Sequence, residues 1–163
     1  MSFNWLDYVL IGLVATVAAI QFLRSTNDFS RVLYETMFVV GAVTAASLLL
    51  RPLGNLTGLP APLLLGGVGL LLIVIGILLA ALLNRFLPFG LGIFNYVFGL
   101  VLAVACGYAL GHLGLRTANM AASPRNPAFA SAVRHSLMAR DLLYFRTFTE
   151  VLAFLRFVRW KGV

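Results

Sequence analysis

Four long apolar stretches, separated by short polar or proline-rich connections, dominate the pattern of this chain. They cover about residues 5–23, 32–50, 63–83 and 91–113. A helix rises by about 1.5 Å per residue, and about 20 apolar residues suffice to cross a bilayer core of roughly 30 Å. The pattern therefore predicts an all-α integral membrane protein with about four transmembrane helices in a domain covering residues 1–115.

The connections between these stretches carry recognisable helix breakers. Arg24 to Ser30 reads RSTNDFS, and Arg51 to Pro62 reads RPLGNLTGLPAP. Proline removes a backbone donor and clashes with the preceding turn, so Pro52 predicts that the second helix ends near Leu50.

The pattern changes after the fourth stretch. Residues 116–136 are small and polar, with three arginines and no acid, and predict an exposed linker beside the membrane. Residues 137–163 mix bulky apolar side chains with arginines that scatter around a helical axis. This basic, aromatic-rich segment predicts one or two short helices at the membrane interface. The side chains expected to dock there on lipid or a partner are Arg140, Arg146, Arg156, Arg159 and Trp160.

Composition and charge agree with a membrane protein. The chain is 61% hydrophobic and only 10% charged, whereas soluble proteins carry about 25% charged residues. The formal net charge is +7, and eight of the twelve basic residues lie at or after Arg116. A basic tail beside apolar helices points to anionic lipid headgroups and not to nucleic acid.

The fourth stretch has an unusually small face. Gly99, Ala103, Gly107 and Gly111 recur at every fourth position, so another helix is expected to lie in the groove that they form. The plainer alternative is that glycine is simply common in membrane helices. The first two stretches carry shorter small faces, among them Gly12 with Ala15 and Gly41 with Ala45.

Three polar residues are candidates for positions beside a transport pathway: Asp7, Glu35 and Asn95. Asn4 can cap the first helix, and Asp7 then lies in its first turn, where the helix dipole favours an anion. This makes Asp7 interfacial, while a proton or ion carboxylate is the functional alternative. Arg31 and Glu35 are four residues apart and can pair on one helix face.

Enzyme chemistry finds little support in the sequence. Cys106 and His112 would lie about 240° apart around one helix, so they do not face one site. His112 suits the C-terminal end of that helix better than a metal, which needs several ligands. Motifs of serine hydrolases, zinc proteases and phosphate-binding loops are missing from the sequence. We therefore expect no catalytic residue, no metal and no cofactor.

The chain begins without a positive leader, which predicts a retained first helix and not a cleaved signal peptide. Four spans place both termini on one side of the membrane. The arginine-rich tail favours the cytoplasm, although the basic residues close to the spans nearly balance each other.

Several short motifs in residues 3–113 resemble the colicin V production protein (CvpA) family. They are Asn4-Trp5-Leu6-Asp7-Tyr8, Arg24 followed by an acid at the start of the second span, and Gly92-x-x-Asn95-x-x-Phe98-Gly99-Leu100. The resemblance implies a bacterial inner-membrane protein with about four spans, linked to production or export of a peptide toxin. Asn95 stands where an acid is common in that family.

Two functions follow from these observations. In the first, which the resemblance favours, the chain takes part in peptide toxin export or small-solute transport as an oligomeric channel-like or accessory component. In the second, which the few polar residues in the spans favour, it is a structural subunit that packs against partner helices and transports nothing itself. Both predict a homo-oligomer or a complex with another membrane protein.

Overall fold

The computed structural model describes residues 3–144, and its helical architecture confirms the all-α membrane fold. Four helices are long and apolar enough to cross a membrane, and two short helices follow them. In chain order they are α1 (Trp5–Asn27), α2 (Phe29–Thr57), α3 (Ala61–Phe86), α4 (Phe94–Ala122), α5 (Pro127–His135) and α6 (Leu137–Tyr144).

The four long helices run up and down in a diamond-shaped bundle. Helices α2 and α4 pack against each other and against both outer helices, whereas α1 and α3 do not touch within the described residues. One end of the bundle, here called the Glu35 end, joins the end of α1 to the start of α2 and contains Glu35. The opposite end carries α5 and α6 and is called the α5–α6 end.

Apolar side chains fill the middle of the bundle. A single buried cluster joins α2, α3 and α4, and its members are Val39, Ala42, Val43, Ala46, Leu65, Ile73, Cys106, Ala109 and Leu113. Glycines bring α3 close to both neighbours, since a methyl group at Gly69 would overlap Leu113 and one at Gly76 would lie 2.8 Å from the Phe38 Cβ. The bundle interior is therefore closely packed over these positions.

Helix α2 is longer than the sequence predicts. It continues through Pro52 and ends at Thr57, where Gly58 takes the left-handed conformation with φ of 66°. Proline deprives the helix of one backbone bond, but the other bonds continue as far as the one from the Gly58 amide to the Gly54 carbonyl. The predicted end at Leu50 is wrong for this reason.

The fourth helix also differs from its predicted bounds. It begins at Phe94, after a turn in which Gly92 has φ of 60°, and it continues to Ala122. Its last turns and α5 occupy most of residues 116–136, which the sequence predicts to be a linker. Asn126 caps α5 by accepting a hydrogen bond from the Phe129 amide, and Pro127 suits the first helical position.

Helix α6 docks on the bundle through Ala139 and Leu142, which are fully buried. Of the predicted docking residues, Arg140 is half-buried on α6. Arg146, Arg156, Arg159 and Trp160 lie outside the described residues, as does most of the predicted interfacial segment.

Candidate functional site

Glu35 is the centre of an ionic cluster near the start of α2. Its carboxylate is 3% exposed, and Arg24 of α1 donates to both of its oxygens at 2.8 and 2.7 Å. Arg31, one turn earlier on α2, donates from Nε to Oε1 at 3.0 Å. One buried acid thus holds two arginines, whose side chains are 40% and 42% exposed.

Two further side chains extend the cluster into the bundle. The Gln21 amide of α1 lies 3.4 Å from Glu35 Oε2 and 3.8 Å from the Cys106 sulfur of α4. The cluster therefore ties α1, α2 and α4 together at the Glu35 end.

The Arg31–Glu35 pair was visible in the sequence, but the bidentate bond from Arg24 was not anticipated. Only Asp28 separates α1 from α2, and this tight link returns the chain antiparallel so that Arg24 faces Glu35. The spacing of an arginine and an acid across such a link is the signal that would have identified the bond.

A second polar group fastens α3 to the same end of the bundle. Ser30 donates from Oγ to the Asn84 side-chain oxygen, and the Asn84 amide donates to Asp28 Oδ2 at 3.0 Å. Tyr34 donates to the Leu87 carbonyl at 3.0 Å. These bonds fix the start of α2 against the end of α3.

Asp7 is completely buried at the other end of α1. It forms a capping box with Asn4, whose backbone amide donates to Asp7 Oδ2 at 2.9 Å. Its second oxygen, Oδ1, accepts from the Ser136 hydroxyl at 2.7 Å and from the Met138 amide at 2.8 Å. Asp7 therefore joins the start of α1 to the α5–α6 junction, and it lies in the α1 span while being covered by α5 and α6.

Other polar bonds reinforce the same docking. The Asn4 side-chain amide donates to the Ala132 carbonyl at 2.8 Å. Tyr108 of α4 donates to Asp141 Oδ2 at 2.6 Å, and His112 Nδ1 lies 2.6 Å from the Leu142 carbonyl. His112 thus contacts the backbone of α6 near the end of the predicted span.

The small face of α4 is occupied by α1 of the same chain. A methyl group at Gly99 would overlap the Ser25 hydroxyl, one at Gly107 would lie 2.8 Å from the Val14 carbonyl oxygen, and Ala103 between them is fully buried. Gly111 lies between Val14 and Leu142 of α6. The groove therefore holds α1 and α6, so a partner chain would have to use another surface.

The three candidate pathway residues do not form one site, since Asp7 lies at the α5–α6 end while Glu35 and Asn95 lie near the Glu35 end. Asp7 and Arg24, the partner of Glu35, are 17 residues apart on α1, which corresponds to about 25 Å along the helix. Asn95 accepts a hydrogen bond from the Leu91 amide at 2.7 Å and closes the turn before α4. Each of the three side chains thus organises a helix end.

Within residues 3–144 no group of three or more His, Cys, Asp and Glu side chains is placed to hold a metal ion. Comparison of the whole chain with known protein families, with curated proteins and with solved structures found no match.

Proposed function

We propose that this chain is an accessory membrane subunit that supports a partner and does not form a conduit through its own four helices. The CvpA resemblance supplies the context, which is peptide toxin export or small-solute transport in a bacterial inner membrane. The structural part of the proposal rests on the distribution of polar groups in the bundle.

The observation that carries this proposal is the separation of Asp7 and Glu35 by an apolar interior. Each carboxylate accepts three or more hydrogen bonds at its own end of the bundle. Thr16 and Thr44 donate to carbonyls of their own helices, those of Gly12 and Val40. A transport pathway needs polar groups that face a substrate along its length. Here the carboxylates of Asp7 and Glu35 and the hydroxyls of Thr16 and Thr44 are all bonded to other groups of the protein.

The outer faces of α1 and α2 support the role of partner binding. Gly12 and Gly41 are exposed, and a methyl group at either would have no neighbour within 4 Å. Ala15, Thr16 and Ala19 continue the small outer face of α1. Small outward residues allow a second helix to approach closely in lipid.

Reconstitution of the purified chain alone tests the absence of a conduit. Vesicles containing the protein should retain potassium and a small anionic dye as well as empty vesicles do, because the bundle interior is apolar. A protein-dependent leak that Glu35→Gln abolishes, with the variant still inserted, would overturn the proposal in favour of a channel.

Extraction in mild detergent followed by native mass spectrometry tests the partner role. We expect a complex of fixed stoichiometry, either with another membrane protein or with further copies of this chain. Gly12→Leu should dissociate this complex because it fills the outer face of α1. Gly67→Leu is the matched control, since Gly67 on α3 is also exposed with open space around it. A monomeric native protein, or equal effects of both changes, would contradict the proposal.

A further inference from the structure

An open cavity of about 670 Å³ lies at the α5–α6 end, between the end of α4 and the two short helices. Asn119 and Ser123 line it from α4 and its end, Arg134 lines it from α5, and Arg140 and Tyr144 line it from α6. Its volume is in the range of small-ligand pockets, about 300 to 1,000 Å³. Three segments of the chain thus contribute polar side chains to one cavity.

The charge of this cavity is one-sided. Arg134 and Arg140 come from different helices, and in the part of the chain that the structure describes neither forms an ion pair with a carboxylate. The Glu35 cluster contrasts with this, because there a buried acid holds both arginines. Two arginines at one cavity favour an anion that can accept several N–H bonds, and phosphate is such an anion.

The surroundings of the cavity favour a lipid as the source of this phosphate. Val133 and Leu143 form an apolar part of the lining, and the cavity adjoins the end of the membrane-spanning helix α4. A phospholipid presents its phosphate where membrane-spanning helices end, with its glycerol and acyl carbons beside it. A soluble phosphate would use the arginines but not the apolar lining.

We propose that the cavity between α4, α5 and α6 is a binding site for the phosphate of an anionic phospholipid, held by Arg134 and Arg140. Asn119, Ser123 and Tyr144 supply further polar groups around the headgroup. The proposal is independent of the accessory role, since a transporter and a structural subunit could both carry such a site. The site would also stabilise the packing of α5 and α6 on the bundle, because its two arginines belong to those helices.

Lipid titration of the delipidated full-length protein, followed by native mass spectrometry, tests this site. The probes are phosphatidylglycerol and phosphatidylcholine with identical acyl chains. We expect phosphatidylglycerol to bind about tenfold more tightly, a preference that one well-made charged contact can supply. The double change Arg134→Gln with Arg140→Gln should abolish the preference. The matched control is Arg51→Gln with Arg125→Gln, which removes two exposed arginines from the same end but not from the cavity lining.

The outcomes separate a defined site from general attraction of charges. Loss of the preference in the cavity variant alone supports the proposal. Equal loss in the control variant overturns it, because then any arginine at this end would serve. A control measurement on the lipid-free proteins, the temperature at which the Cys106 thiol becomes reactive, establishes that both variants are folded.

Two further measurements address other occupants of the cavity. Inorganic phosphate at equal ionic strength should leave the phosphatidylglycerol preference intact, and full competition by millimolar phosphate would overturn the assignment to lipid. Glu150, which lies outside the described residues, is the one acid in the sequence of residues 145–163. If Glu150→Gln lowers the lipid-free stability as much as the double arginine change does, the tail occupies the cavity and the proposal fails.

Discussion

The Glu35 cluster shows how a single buried acid is paired in a helical bundle. A carboxylate that is 3% exposed needs charged and hydrogen-bonded partners, because an unpaired buried charge is strongly unfavourable. Arg24 supplies two parallel bonds, while Arg31 supplies one from Nε. Both arginine side chains are partly exposed, so the cluster connects the buried carboxylate to the outside of the bundle.

Because Arg24 makes two bonds to Glu35 and Arg31 makes one, replacing each arginine by lysine should affect stability unequally. Arg24→Lys should lower the stability of the protein by about 1 to 2 kcal/mol more than Arg31→Lys, because one ammonium cannot reproduce a bidentate bond. The midpoint temperature for labelling of Cys106 by a fluorogenic maleimide measures this difference, since that thiol is 1% exposed in the folded protein. Equal midpoints for the two variants would contradict the asymmetric geometry.

Asp7 illustrates the corresponding arrangement at the opposite end of α1. Its two oxygens accept from the Asn4 amide, the Ser136 hydroxyl and the Met138 amide, so it is a structural link between distant parts of the chain. The capping role could be predicted from Asn4 and Asp7 alone. The bonds to residues 136 and 138 could not, because they depend on how α5 and α6 fold back over the bundle.

Asp7→Asn should loosen α5 and α6 while leaving the four long helices in place. The asparagine has one NH2 group where Asp7 has an accepting oxygen, so it would point a donor either at the Asn4 amide or at the donors of the α5–α6 junction. The loss of one hydrogen bond at a buried site costs about 1 to 3 kcal/mol. Hydrogen exchange should therefore accelerate in residues 127–144 but not in residues 99–111. Tyr8→Phe serves as the control, since Tyr8 is 67% exposed. Unchanged exchange in Asp7→Asn would remove Asp7 from this role.

At the scale of helices, α4 is the element on which the bundle depends. It contacts all the other helices of the bundle, and its glycines allow the α1 backbone to approach. The small face could be predicted from the four-residue spacing, but its occupant could not, because the same spacing serves contacts within a chain and between chains. Here the close contact of Gly107 with the Val14 carbonyl assigns the face to α1.

Two alanine substitutions in α4 should have opposite effects. Gly107→Ala places a methyl group 2.8 Å from the Val14 carbonyl oxygen, so it must push α1 away, at a cost of about 1 to 3 kcal/mol. Gly114→Ala lies in open space on the same helix and should gain up to about 1 kcal/mol from helix propensity. Thermal unfolding of the purified proteins, followed by intrinsic fluorescence, measures whether each change lowers or raises the stability. A stabilised Gly107→Ala variant would contradict the close approach of α1.

The ends of the helices were harder to predict than their number. Each span was recognisable from its apolar length. The signal at Pro52 pointed to a helix end that the fold does not make, and residues 116–136 are mostly helical instead of the predicted linker. Pro52 removes one bond from a helix whose other bonds remain. Ala132 and Val133 are buried by contacts with distant helices, which a local polar composition does not reveal.

For the whole molecule, the arginines of α5 and α6 decide the balance of charge between the two ends of the bundle. Arg24, Arg31 and Arg85 belong to the Glu35 end, and Arg51, Arg116 and Arg125 belong to the α5–α6 end, so these two sets are equal. The fold brings Arg134 and Arg140 to the second set by placing their helices against the start of α1 and the end of α4. With four spans the sequence already predicts that these two arginines lie on the N-terminal side, and the fold adds that their helices pack against the bundle.

The positive-inside rule then predicts that the α5–α6 end faces the cytoplasm. Single cysteines at Gly90 and Ala128, introduced separately with Cys106→Ala, report the two ends because both positions are exposed. In intact bacterial spheroplasts a membrane-impermeant maleimide should label Gly90→Cys at once and Ala128→Cys only after lysis. The reverse pattern would place the arginine-rich end outside. The phospholipid site would then have to draw on the outer leaflet, so this labelling also decides which leaflet supplies the lipid.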